Sequence, residues 1–226
     1  MTAPLPGTAS GQGFRTRVRH LGEPVALFFG RLGLTPNALT ILGFLITVAG
    51  AALAAAGLWL AAGIVVFLGG AFDLFDGALA RATGRASKAG AFLDSVFDRW
   101  GESVVYIGIV IGCLNAGFVV GAGLAAVAMS EAFLVSYVRA RAQSLGFTCD
   151  SGLFARPERV VVTVIGLVFS GLFGGVVLYA VVFLLAVVTN LTALQRIREV
   201  WLQGRAQRLA IERETKARRA APPQTP

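Results

Sequence analysis

The chain has 226 residues, 56% of them hydrophobic and only 14% charged, with a mean hydropathy of +0.73. A soluble domain carries about 25% charged residues, so this composition excludes a soluble fold and predicts an integral membrane protein. Two cysteines, Cys113 in an apolar stretch and Cys149 in a loop, exclude a disulfide framework and a cysteine zinc site, and the net charge of +8 is a topology signal rather than a nucleic-acid footprint.

Residues 1–13 read as a disordered tail, polar and Gly/Pro-containing, without the apolar core of a secretory signal. Across 14–34, Arg15, Arg17, Arg19 and Arg31 alternate with Leu21, Val25, Leu27 and Phe28. That is the pattern of an amphipathic helix lying on an anionic membrane face, or of a plain basic flank to a first span. Thr35-Pro36-Asn37 is a helix-start signal, with Thr as cap and Pro in the first turn, and the first span runs from about Ala38 to Leu58. A second, from about Ala61 to Gly84, carries Asp73 and Asp76 near its end, and a third, from about Ser87 to Ile111, holds Asp94 and Asp98 near its start. The fourth begins at about Phe118 and leads into Ser136-Tyr137-Val138-Arg139-Ala140-Arg141. Arg156-Pro157-Glu158-Arg159 opens a fifth, and a sixth, from about Val176 to Leu194, ends in Gln195-Arg196-Ile197-Arg198. Residues 205–226 form a charged tail expected to fray after Ala210. The expected fold is an all-α integral membrane protein of about six transmembrane helices over 35–204, preceded by the interfacial helix.

All 20 Lys and Arg fall in the N-terminal segment, the second-to-third and fourth-to-fifth connections with their adjoining helix ends, or the C-terminal segment. The connections near Gly57, Asn115 and Gly174 carry none. The positive-inside rule therefore puts both termini and the aspartates on the cytoplasmic side.

Asp73 and Asp76 are spaced i, i+3, and Asp94 and Asp98 i, i+4, so each pair lines one helix face. A turn around Gly84 would set the pairs against each other. Four carboxylates so placed repel unless a cation lies between them, and the fitting filler is a hard divalent ion, Mg²⁺ or Mn²⁺, with room for two. A membrane carboxylate cluster also fits a proton or ion pathway, or pairing with Arg81, Arg85 and Arg99.

Asp73, Asp76, Gly77, Ala80, Arg81, Gly90, Asp94 and Asp98 fit the pattern D-x2-D-G-x2-A-R-x8-G-x3-D-x3-D without gap or substitution. The chain thereby resembles the CDP-alcohol phosphotransferases, which move a phosphoryl-alcohol group from a CDP-alcohol to a second alcohol with two divalent metals, generally as homodimers of six-helix protomers. The resemblance implies that Asp73 and Asp94 bridge both metals, that Asp76 and Asp98 complete one site each, and that Asp98 is the general base. It also implies a nucleotide approaching Gly77 and held by Arg81 and Ser87. Gly90 either belongs to that site or only lets two helices pack closely.

Arg139, Arg141, Arg156, Arg159 and Arg196, at the ends of the last three spans, suit an acceptor that carries phosphate, though the positive-inside rule alone would also put arginines there. L-T-P-N-A-L-T, S-Y-V-R-A-R-A, R-P-E-R and Q-R at 195–196 followed by Trp201 are similar to bacterial phosphatidylinositol phosphate synthases, in which CDP-diacylglycerol is joined to inositol phosphate. That likeness implies a CDP-lipid contact from Asn37, Ala38, Leu39, Thr40 and Asp73, an acceptor phosphate on Arg139, Arg156 and Arg196, and a place in the bacterial inner membrane. Arg139 stands where such a synthase is expected to have lysine, which keeps glycerol 3-phosphate open as the acceptor. Glu102, one turn beyond Asp98, either pairs with a cation or supports the metal site, and Glu131 pairs with an arginine or stays protonated. Gly166, Gly171, Gly174 and Gly175 would permit close helix packing.

Overall fold

The computed structural model describes residues 24, 27–149, 152 and 154–220. Among these residues the fold is all-helical, with α1 (Pro36–Ala55), α2 (Trp59–Ala82), α3 (Lys88–Asn115), α4 (Val119–Ser144), α5 (Arg156–Phe173) and α6 (Gly175–Ala220). Most of the expected interfacial helix lies outside the described residues; residues 27–31 are helical, and Phe29 packs on Phe72 and Phe75.

The helix starts follow local chemistry. Thr35 caps α1, its Oγ1 accepting from the Ala38 N–H at 3.2 Å, with Pro36 in the first turn. Ser87 caps α3 in the same way, accepting from the Gly90 N–H at 3.0 Å. Between α2 and α3 the chain reverses at Gly84, whose φ of 65° suits glycine. The Arg85 N–H then donates back to Ala80 O at 2.9 Å, closing the end of α2.

The helices pack as a closed ring in the order α1, α2, α5, α6, α4, α3. Glycines allow the close seams, because lipid supplies little hydrophobic drive between helices. A side chain at Gly108 or Gly112 would strike the α1 backbone at Ala51 or Ala54, and one at Gly63 or Gly171 would strike across the α2–α5 seam. Gly166 fits against Val181, and Gly175 lies under Phe118, while Gly174 serves the turn with a φ of 95°. Val105, Tyr106, Ile109, Leu167, Val182 and Leu185 fill the ring centre.

By length and composition α1, α2, α4 and α6 can cross a membrane. The other two are charged toward their starts, with Asp94, Asp98, Arg99 and Glu102 on α3, and Arg156, Glu158 and Arg159 on α5. The expectation of a helical membrane protein thus holds, with four spans identified by apolar length rather than six. The last helix departs from expectation by continuing through Ala220 instead of fraying after Ala210. Its outer part is rich in Ala, Arg, Gln, Leu and Glu, good helix formers, and places Glu212 four residues before Lys216.

Candidate active site

The α2–turn–α3 unit brings the two aspartate pairs together. Asp76 is buried, and the Thr40 hydroxyl of α1 donates to its Oδ2 at 2.5 Å. Asp76 lies within electrostatic range of Asp94 and Asp73, and Asp98 within range of the same two. Among the described residues no three metal-binding side chains close on one point. Instead Arg156, the first residue of α5, spans the cluster, with Nη2 3.0 Å from Asp73 Oδ2 and Nη1 2.7 Å from Asp98 Oδ1. Arg156, with Arg99 in electrostatic range of Asp94 and Asp98, still leaves four carboxylates with a negative excess, and every donor is a hard oxygen. The residues therefore fit Mg²⁺ or Mn²⁺ in the chemistry of the donor set.

On one side of the aspartates lies a cleft between α1, the end of α2 and the start of α3. Asn37, Thr40, Gly77, Arg81 and Ser87 line it, and Asp76 and Asp94 form part of its wall. A Cβ at Gly77 would meet only the tip of Arg81, at 3.3 Å, so packing does not demand glycine there. The absent side chain leaves bare helix backbone facing the cleft. Around Gly90 the nearest atoms are Ser87 Oγ and Asn37 Oδ1, which ties it to the cleft rather than to a helix seam. Three residues expected to contact the lipid nucleotide are placed elsewhere, Asp73 among them in the wall of an inner cavity. Leu39 is fully buried against Ala78 and Leu79, and Ala38 does not line the cleft.

The five arginines separate. Arg156 sits on the aspartates, whereas Arg159 is fully buried in a bidentate pair with Glu102, Nε–Oε1 2.7 Å and Nη2–Oε2 2.8 Å. Arg159 was expected near the acceptor; its guanidinium faces Glu102 and the Phe154 carbonyl instead. Arg196 is buried, donates to Val135 O at 2.8 Å, and lies within electrostatic range of Arg139 and Arg159. Arg141 is exposed and turns to Ser144 at the end of its own helix. The α4–α5 loop that carries Gly152 past Arg196 is tied to α6. Gln203 accepts from the Thr148 N–H and donates to its carbonyl, and Thr192 Oγ1 accepts from the Phe154 N–H.

A second, inner cavity reaches toward the ring centre behind Asp73 and Arg156, with Thr47, Glu102, Tyr106 and Thr163 in its wall. Sequence reasoning did not find the Thr40 contact, the Glu102–Arg159 pair or this cavity. The one available signal was spacing: Asp98 and Glu102 are i, i+4, and Arg156 and Arg159 are i, i+3, so each set repeats on one helix face.

A carboxylate cluster at a helix turn thus opens onto a cleft with a glycine wall and an arginine, and the chain's relatives make it an enzyme. The sequence model of the CDP-alcohol phosphatidyltransferase family matches residues 33–192. The archaetidylinositol phosphate synthase of Pyrococcus horikoshii is 36% identical over 186 residues, 82% of this chain and 93% of that one. The phosphatidylinositol phosphate synthase of Mycobacteroides abscessus is 35% identical over 197 residues, 84% and 88% of the two chains. The crystal structure of the Mycobacterium tuberculosis phosphatidylinositol phosphate synthase with CDP-DAG bound has a TM-score of 0.76 at 32% identity, covering 80% of this chain and 94% of that one. A second structure of that enzyme, in complex with manganese and citrate, has a TM-score of 0.74 at the same identity, over 80% and 88% of the chains. The chain belongs to the CDP-alcohol phosphatidyltransferase family and is a transferase of phospholipid synthesis.

Proposed function

We propose that this enzyme transfers the phosphatidyl group of CDP-diacylglycerol to a hydroxyl of inositol phosphate, yielding phosphatidylinositol phosphate and CMP. The observation that carries the reading is the single cleft in which Asn37, Thr40, Gly77, Arg81 and Ser87 share walls with Asp76 and Asp94. The CDP-DAG held by the M. tuberculosis enzyme supports the donor, and the names of both relatives support inositol phosphate as the acceptor. The catalytic domain is residues 35–204, a six-span unit of a homodimer in a bacterial inner membrane, with the aspartates facing the cytoplasm.

Asp73, Asp76, Asp94 and Asp98 would hold two divalent ions, with Asp73 and Asp94 shared, and these ions would neutralise the charge that gathers on the phosphoryl oxygens and the departing CMP. The chain's own groups do the rest. Gly77 lets the nucleotide lie against helix backbone, and Arg81 and Ser87 hold its phosphates or sugar. Thr40 fixes the direction of the Asp76 carboxylate. Asp98 takes the proton of the attacking hydroxyl as the new O–P bond forms and the bond to the CMP oxygen breaks. Arg156, with Arg196 and Arg139, binds the acceptor phosphate, for which a guanidinium fork is suited.

The test is CMP release by purified protein from CDP-diacylglycerol, with Mg²⁺ and inositol phosphate, glycerol 3-phosphate, inositol or serine in turn. Release stimulated by inositol phosphate and abolished by EDTA is the expected result. Stimulation by glycerol 3-phosphate in its place would overturn the choice of acceptor.

A further inference from the structure

Two ion-pair rungs cross from α3 to α5, and they differ in kind. In the outer rung Arg156 is partly exposed, is shared between Asp73 and Asp98, and keeps a buried Nε with no hydrogen-bond partner. In the inner rung the Arg159 side chain is 0% exposed and that of Glu102 8%, and two parallel hydrogen bonds join them. A buried ion pair is a poor way to gain stability, since an apolar pair of the same volume often does as well or better. Its place one turn from the reacting centre calls for another account.

We propose that Glu102 and Arg159 are positioning residues: they fix the first turn of α5 so that Arg156 is presented to Asp73 and Asp98, and they keep the two guanidiniums on separate carboxylates. Arg156 opens α5, where no side chain caps the helix. Arg159 ties that turn down from both sides, its N–H donating to Ala155 O at 3.3 Å and its Nη1 to Phe154 O at 3.4 Å. The Arg159 carbonyl accepts from Thr163 Oγ1 at 2.8 Å, which locks the following turn. Pinning Arg159 to α3 through Glu102 therefore sets the height and rotation of Arg156, three residues earlier on the same face. Charge gives the second argument. Without the Glu102 charge, a buried guanidinium must find another anion, and the next carboxylate along the same face of α3 is Asp98. Arg159 would then compete with Arg156 for the catalytic carboxylate.

The inference rests on the proposed role of Arg156 at the acceptor, and a double-mutant cycle on the full chain in lipid nanodiscs tests it. CMP release is measured for wild type, Glu102→Gln, Arg156→Gln and the double variant, varying acceptor and CDP-diacylglycerol separately. Glu102→Gln should raise the KM for inositol phosphate about tenfold and leave that for CDP-diacylglycerol within about twofold; with Arg156→Gln already present, it should add less than about twofold. Effects that multiply across the two sites, or that move both KM values together, would show a brace of general stability and overturn the proposal. Arg159→Lys keeps the charge but not the fork, and should show a weaker form of the same split. It replaces Glu102→Gln in the cycle if that variant does not fold. If wild type ignores inositol phosphate, the choice of acceptor has failed, and the same cycle, run with the acceptor that does support release, still decides the role of the pair.

Discussion

Thr40 shows how one hydroxyl can govern a charged centre. Its hydrogen bond to Asp76 is short and buried, and it turns a carboxylate oxygen toward α1. A hydrogen bond to a charged group contributes about 1.5–3 kcal/mol, a factor of roughly 10–100 in any equilibrium that Asp76 controls. Thr40→Val should therefore raise the Mg²⁺ concentration for half-maximal CMP release about tenfold, with most of the rate recovered at saturating Mg²⁺ and with Thr40→Ser close to wild type. An unchanged Mg²⁺ titration would mean that the hydroxyl does not orient the carboxylate for metal. Asp98 poses a different case, because its proposed role is to accept a proton. Asp98→Asn should lower turnover by about 10²–10⁴, the range for a lost general base, while CDP-lipid still binds in calorimetry. A near-normal rate would remove Asp98 from the chemistry.

The helix start at Thr35 was legible because a capping hydroxyl is a local property of the sequence, and its side chain makes the expected bond; Ser87 was read as the start of a span, and its capping bond to Gly90 was missed. The aspartate pairing across Gly84 was legible for the same reason, since spacing and a turn signal suffice to state it. What could not be read was which helices close the ring, because neighbours such as α2 and α5 are separated by two other helices in the chain. Arg159 is the instructive residue. From sequence it is one more arginine at a helix end, and only the closing of the ring, which sets α5 across from α3, reveals Glu102 as its partner. The α1–α3 seam carries a prediction at this scale. Gly101, Gly108 and Gly112 lie against Thr47, Ala51 and Ala54, and the Asn115 side chain donates to Ala55 O at 3.1 Å where the seam ends. Because a Cβ at Gly108 would meet main chain rather than a movable side-chain tip, Gly108→Val must push α3 away from α1. Overpacking of this kind costs about 1–3 kcal/mol, seen as a lower thermal midpoint in detergent. The same displacement moves Asp94 and Asp98, so activity should fall before the protein unfolds. Gly123, with nothing within 4 Å of its Cβ position, is the control and should tolerate alanine.

The reaction we propose takes one substrate from lipid and another from water, and that requirement accounts for the segregation of charge along the helices. The aspartates stand near the α2–α3 turn, at the end of the ring where the arginine-bearing connections gather, so a polar acceptor reaches them without crossing the apolar core. The opposite connections, at Gly57, Gly117 and Gly174, are tight and carry no Lys or Arg. With positive charge retained on the cytoplasmic side, the topology we propose points the α2–α3 turn to the cytoplasm and the α3–α4 turn to the outside. Cysteine labelling in cells checks this directly, and the native background is low, because Cys113 and Cys149 are both buried. Ala116→Cys, on the exposed α3–α4 turn, should react with a membrane-impermeant maleimide added to intact cells. Thr83→Cys, beside the site, should react only after the membrane is opened. Labelling in the reverse order would turn the molecule over and deny a cytoplasmic acceptor its route to the aspartates. Labelling of Thr83→Cys that falls when CDP-diacylglycerol is added would further tie the neighbouring cleft, lined by Arg81 and Ser87, to the lipid nucleotide.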